Sequence, residues 1–191
     1  MPEFYEGGVC RYQLAVQPHL DAIARGVRDA PQARLFLLEG TEYAQEYKDV
    51  EVLWQDQWMK RDRANSMKGP FWANYFYKPC QSCDCRIDKS VSMEIDAIFF
   101  LRNAKGKTMA IHIEMKRDRE SLSVGQAEAY RPRAACYRDR RRLRKALLEH
   151  DHFVTVLFGG VGTDIPSAKQ YFDRVILHAD ARNAFPGYPA S

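Results

Sequence analysis

The sequence predicts an α/β protein in which a mixed β-sheet is flanked by helices. Three observations predict it. Helix-spaced apolar residues dominate the N-terminal part. From about Val91 the period changes to strict alternation, in two stretches separated by a glycine turn. A helix-forming stretch then leads to a further apolar, β-branched strand, Phe153 to Phe158. The order is helix, three strands, helix, strand, which suggests a mixed sheet with helices on both faces.

Pro18 to Arg28 reads as a short amphipathic helix with Leu20, Ile23, Ala24 and Val27 on one side. Pro31 to Gly40 is either a helix or a buried strand. Thr41 is placed to cap a long helix continuing to about Lys60, with Tyr43, Tyr47, Val50, Trp54 and Trp58 as its stripe. Phe71 to Tyr77 is strand-like, and Cys80 to Lys89 makes a turn. Val91 to Arg102 and Thr108 to Arg117 are two strands joined through NAKGK, with Gly106 in the turn. Ser123 to Leu148 reads as a helix interrupted near Pro132. Arg174 to Leu177 is a last short strand, and Asn183 to Ser191 an irregular tail. One domain is expected over residues 1–191, with its core at about 41–160 and a helical extension over 1–40.

Hydrophobic residues make up 46% and charged residues 28%, as in ordinary globular proteins. No apolar run is long enough to cross a bilayer, and the first residues, MPEFYEGGVCRYQ, lack the pattern of a secretory signal. The expectation is a cytoplasmic protein without a membrane partner, its five cysteines reduced. The net charge of +4 selects no partner, but its distribution is informative. Arg131, Arg133, Arg138, Arg140, Arg141, Arg142, Arg144 and Lys145 face one acid, Asp139. Such a stripe either follows a polyanion backbone or is a solvated helix face.

The two alternating strands carry the chemistry. Met93, Ile95, Ala97 and Phe99 point one way, and Glu94, Asp96, Ile98 and Phe100 the other. In the next strand His112, Glu114 and Lys116 oppose Ile111, Ile113 and Met115. If Ala104, Lys105 and Gly106 form a three-residue loop, Asn103 pairs with Lys107 and Asp96 falls across from Glu114. Directly opposed residues have Cβ atoms roughly 4.5–5.5 Å apart, a distance at which two carboxylates repel. A divalent cation between them removes the repulsion. Lys116, on the same face, can hold the attacking water or stabilise charge on a phosphate.

At Ile95-Asp96 and Glu114-Met115-Lys116 the sequence resembles the PD-(D/E)xK, or restriction-endonuclease-like, superfamily, with isoleucine in place of the nominal proline. Gln126 and Tyr130, in GQAEAY, resemble the QxxxY motif of its lambda-exonuclease-like branch. The resemblance implies a restriction-endonuclease-like core in αβββαβ order and a catalytic set of Asp96, Glu114 and Lys116. It implies Mg²⁺ or Mn²⁺ held by Asp96, Glu114 and the backbone carbonyl of Met115. Gln126 and Tyr130 would support the site and bind substrate, together with Arg131, Arg133 and Arg138. The family often adds an acid from its first helix, for which Glu39, Glu42, Glu46 and Glu51 are candidates. Glu46 lies beside the apolar stripe and is preferred, with Glu42 nearly as well placed.

Cys80, Cys83 and Cys85 form C-x2-C-x-C, which can chelate Zn²⁺, with Cys10, Cys136 or a histidine as candidates for the fourth ligand of a structural site. Iron–sulfur nucleases of the superfamily place cysteines on both sides of the core, unlike these, so reduced thiols are favoured over a structural zinc or a cluster. Gly159-Gly160-Val161-Gly162 lacks the features of a phosphate loop and reads as a turn. Trp54, Trp58 and Trp72 read as core, and His112 as either a cleft residue or a hydrogen-bonded structural one. The implied activity is metal-dependent hydrolysis of DNA, at ends or in single strands, in repair or defence. A non-catalytic nucleic-acid-binding protein with this fold and an RNA-directed nuclease are the alternatives. A homo-oligomer or a protein partner stays open.

Overall fold

A computed structural model describes residues 15–63, 70–73, 75–77, 85, 93–122, 125–139 and 146–190. Its elements are α1 (Gln17–Asp29), α2 (Pro31–Leu38), β1 (Val50–Val52), α3 (Trp54–Arg63), β2 (Tyr75–Tyr77), β3 (Met93–Ile95), β4 (Ala97–Asn103), β5 (Thr108–Met115), α4 (Gln126–Arg138), β6 (His152–Gly159), α5 (Ile165–Ala168), β7 (Arg174–Leu177) and α6 (His178–Ala184). Five strands form a mixed sheet in the order β1-β4-β5-β6-β7, and β2 pairs with β3 in a separate ribbon. β1, β4 and β5 are antiparallel, whereas β6 lies parallel to β5 and β7 parallel to β6. The β5-α4-β6 crossover makes that parallel pairing, because a tight hairpin can join only antiparallel neighbours. The fold is therefore α/β, with helices flanking a mixed sheet. Among the described residues no helix is long and apolar enough to cross a membrane.

The N-terminal helix forms as its periodicity predicts, and Leu20, Ile23, Ala24 and Val27 are all buried. The segment starting at Pro31 is helical. One face of the sheet, with Ala97, Phe99, Leu101, Ile111, Ile113, Val154, Val156 and Phe158, joins residues of α1, α2 and α6 in the main core. Trp72 is fully buried there, as its core reading requires, whereas Trp54 and Trp58 are half-buried and pack against the edge of that core.

The long helix from Thr41 to Lys60 does not exist. Turns occupy 41–49, β1 follows, and helix resumes only at Trp54. Two local causes are visible. Thr41 Oγ1 donates to the Leu38 carbonyl at 2.7 Å and so closes the preceding helix. The alternating, β-branched Val50-Glu51-Val52 instead pairs with Leu101 to Asn103 along the edge of β4. The strand expected from Val91 to Arg102 is broken by a bend at Asp96. Ile95 accordingly packs with Ile98 and Phe100 rather than with Ala97 and Phe99, against the expected alternation. Of Phe71 to Tyr77 only the last three residues are strand, and residues 71–72 form a turn. α4 runs through Pro132 without interruption and ends at Arg138, well short of Leu148. The irregular tail begins after Ala184 and is anchored by buried Phe185 and Tyr188.

Candidate active site

The β4–β5 hairpin sets the site. Asn103 N–H donates to the Lys107 carbonyl and Gly106 N–H to the Asn103 carbonyl, both at 2.9 Å, which closes a three-residue loop at residues 104–106. Gly106 takes φ +76°, a left-handed conformation natural to glycine. From this loop the pairing runs through Arg102↔Thr108 to Ala97↔Ile113. The ladder ends there, and Asp96, in the bend beyond it, lies against the end of β5, next to Glu114's neighbour Met115. Both carboxylates are buried, 5% and 2% exposed. Asp96 Oδ2 accepts the Met115 N–H at 2.7 Å. The N–H and C=O of one strand residue point to the same side, so the Met115 carbonyl also faces Asp96.

Three donors converge on Glu114. Gln126 Nε2 reaches Oε1 at 2.6 Å, the Tyr130 hydroxyl reaches Oε2 at 2.7 Å, and Lys116 Nζ lies 2.9 Å from Oε1. Gln126 and Tyr130 reach one carboxylate because residues four apart share a helix face. α4 packs its first turns over β6, where Tyr130 and Ala127 meet Leu157 and Phe172. Burial pushes the Glu114 carboxyl up, and the opposing pull of Lys116, Tyr130 and Gln126 only partly offsets it. Burial also works against charge on Lys116, but there Glu114, Glu120 and Asp96 prevail and raise the ammonium's pKa. Lys116 is therefore a cation at neutral pH.

The end of β5 is fastened on both sides. Lys116 N–H donates to the Phe158 carbonyl at 2.8 Å. Its own carbonyl accepts from His178 Nε2 at 2.9 Å, and His178 Nδ1 lies 2.7 Å from the Tyr188 hydroxyl. A carbonyl cannot donate, so Nε2 carries the proton and Nδ1 accepts from Tyr188. Nothing in the local pattern around His178 or Tyr188 marks either residue in the sequence.

The loop after Lys116 docks on the turn after β6. Arg119, at φ +61°, donates its N–H to the Val161 carbonyl at 2.8 Å, and Val161 N–H donates to Asp118 Oδ1 at 2.7 Å. A Cβ on Gly160 would fall 2.6 Å from the Asp118 backbone nitrogen, so only glycine fits. The glycine-rich segment is thus a packed turn, as read. Beside it opens a cleft of about 420 Å³ whose wall includes Lys116 and the start of α4. A second cleft, of about 670 Å³, lies between α2, β7 and α6 and contains none of these residues.

Other expected site residues lie elsewhere. Glu46 accepts from Asn103 Nδ2 at 3.1 Å, at the hairpin's turn end and roughly 23 Å of strand from Asp96. It cannot join the acid pair, because the helix meant to carry it there is replaced by turns and β1. Glu39 pairs with Arg174 and Glu51 with Arg102, both at the surface. Arg133 is 1% exposed and so cannot offer its guanidinium to a polyanion on the surface. Arg131 is held by Asp173 at 2.9 Å and the Gln170 carbonyl at 3.1 Å. Arg138 is exposed and lies over the Phe153 ring. Residues 140–145 of the basic stretch, and Cys80 and Cys83, lie outside the described residues, while Cys85 is buried. His112 is fully buried beside His150.

Among the described residues no three His, Cys, Asp or Glu side chains are grouped to hold a metal ion. The acid pair with the Met115 carbonyl offers three oxygen donors, a set that suits Mg²⁺, which takes one or two carboxylates and keeps several waters. No protein-family model matches this chain, and no curated protein or solved structure matches it either.

Proposed function

We propose that this chain is a metal-dependent nuclease of the PD-(D/E)xK type that hydrolyses phosphodiester bonds in DNA. The observation that carries the reading is the convergence of Gln126, Tyr130 and Lys116 on Glu114, with Asp96 across the hairpin. A surface hairpin has no need of two buried carboxylates, and a helix-borne pair of donors fixing one of them is the arrangement expected of a functional acid. The strand order supports the same reading. β1, β4 and β5 are antiparallel and a helical crossover leads to a parallel β6, an order compatible with a restriction-endonuclease-like core if α3 and the β2–β3 ribbon, which lie between β1 and β4, are insertions.

Asp96, Glu114 and the Met115 carbonyl would hold Mg²⁺ or Mn²⁺. The cation would polarise the scissile phosphate and lower the pKa of the attacking water. Gln126 and Tyr130 hold Glu114 in one orientation, so its oxygens need no reorganisation when substrate arrives. Lys116, kept cationic by its acidic neighbours, serves as a hydrogen-bond donor to the water or to a phosphate oxygen and not as a base.

The test is cleavage of labelled single- and double-stranded DNA with Mg²⁺ or Mn²⁺ by wild type and Lys116→Ala. Metal-dependent cleavage that falls by about 10²–10³-fold in the variant is expected, the usual loss on removing one donor to developing charge. Wild type and variant that are equally inactive yet bind DNA alike would instead favour a binding protein.

A further inference from the structure

We propose that the cleft beside Lys116 receives one unpaired nucleobase of the substrate strand, and favours bases that carry an exocyclic amino group. The inference rests on the nuclease reading and adds the part of the substrate that sits next to the scissile phosphate.

Position comes first. The cleft shares Lys116 with the acid pair, so a strand whose phosphate lies at Lys116 must send a neighbouring nucleoside toward it. Size is the second argument. About 420 Å³ lies at the lower end of the range of small-molecule pockets, enough for one nucleoside. A base inside a duplex is stacked on both faces and paired at its edge, so only an extruded or single-stranded base can enter.

Chemistry is the third. The floor is apolar, built by Leu157, Ala127, Ala168 and the half-buried ring of Tyr171, and suits the flat face of a base. The rim is polar and of mixed sign. Glu128 and Asp164 put carboxylates there, which repel a phosphate but accept hydrogen bonds from amino groups. Asp164 Oδ1 caps the Ser167 N–H at 3.2 Å, whereas Glu128 has no partner among the described residues. Arg119, also exposed and with no partner for its guanidinium among the described residues, is a cation on the cleft wall for the strand's backbone. The walls are preformed, since the 118–119 loop and the 160–161 turn are pinned to each other by two backbone-anchored hydrogen bonds and by the tight fit at Gly160. Thymine and uracil, which lack an exocyclic amino group, offer Glu128 only the single N3–H, flanked by two carbonyl oxygens that a carboxylate repels.

The experiment measures fluorescence anisotropy of labelled oligo(dC), oligo(dA), oligo(dT) and a blunt hairpin duplex at one salt concentration in EDTA, with the same oligonucleotides assayed for cleavage in Mg²⁺. Wild type, Glu128→Ala and Ser167→Trp are compared. Ser167 is exposed on the cleft wall, so the tryptophan fills the cleft without entering the core, and a thermal melt checks each variant's fold. Wild type is expected to bind oligo(dC) and oligo(dA) at least about fivefold more tightly than oligo(dT), the smallest discrimination usual for a good side-chain contact to a base edge. Glu128→Ala should remove that preference, and Ser167→Trp should weaken binding of every single strand while the duplex is unaffected. Lys116-dependent cleavage with base-blind binding that Ser167→Trp leaves unchanged would overturn the base pocket and leave the nuclease reading standing. Neither binding nor cleavage by wild type would overturn both.

Discussion

The two faces of β5 are equally buried and differently built. Met109, Ile111, Ile113 and Met115 enter the main hydrophobic core against helices. Ala110, His112 and Glu114 look toward the other side, where buried Thr155, Gln126 and Arg133 also lie. On the first face each residue is stabilised by removal from water and by close packing. On the second, Gln126 bonds Glu114 and Thr155 bonds Asp173, so that burial of these polar groups is offset by hydrogen bonds. The difference teaches where to look for chemistry. A hydrophobic face specifies shape, while a buried charge costs stability unless its surroundings are dedicated to it.

That contrast can be broken from either side. The largest expected effect on stability is on the apolar face. Ile111→Ala should cost about 2–5 kcal/mol in denaturant unfolding, the usual loss for a fully buried isoleucine. At temperatures where the variant stays folded, its metal-dependent cleavage should be close to that of wild type. On the polar face the balance reverses. Tyr130→Phe and Gln126→Ala each remove one donor from Glu114 and should lower cleavage by about 10–100-fold, as loss of a group that orients a metal-binding carboxylate does. Their melting temperatures should move less than that of Ile111→Ala; a larger stability loss with unchanged specific activity would make the pair structural.

A smaller effect sharpens the comparison through pH. Burial holds His112 well below the ordinary histidine value, and His150 adds to the depression. As pH falls through 6.5 the unfolded chain takes up a proton that the folded His112 refuses. Stability is therefore complete above that value and declines below it, by up to about 1.4 kcal/mol per pH unit from this group. Unfolding free energies between pH 7.5 and 5.5 should show the fall, and His112→Gln should make it shallower. The smallest effect belongs to the turn end of the hairpin. Glu46→Ala removes one half-exposed hydrogen bond to Asn103 and should cost no more than about 1.5 kcal/mol, with cleavage unchanged.

What was legible in the sequence follows the same division. The register of the hairpin from Arg102↔Thr108 to Ala97↔Ile113 could be counted from the loop, because Gly106 marks the turn, whereas the bend at Asp96 could not. Gln126 and Tyr130 could be placed because four-residue spacing defines one side of a helix. The expectations that failed rest on distant contacts. The spacing from Tyr43 to Trp58 fits a helix, yet Val50 to Val52 completes a sheet edge supplied by residues fifty positions away. Arg133 belongs by composition to a basic surface stretch, but its position on α4 turns it inward. The Gly160 turn reads correctly as a turn, while its service to the Asp118 loop shows only when the two are brought together.

The hydrogen bond from His178 to the Lys116 carbonyl joins residues 62 positions apart, and Tyr188, which completes it, stands 73 positions beyond Met115. On a ribosome the chain emerges at roughly 5–20 residues per second, so several seconds separate the appearance of the acid pair from that of its fastening. During that interval the β4–β5 hairpin can form, but the end of β5 is held only by its neighbouring strands. The acidic centre is thus finished only once residues 62 and 73 positions further along have been translated, and a nascent chain stalled before Tyr188 would carry its parts without their final alignment.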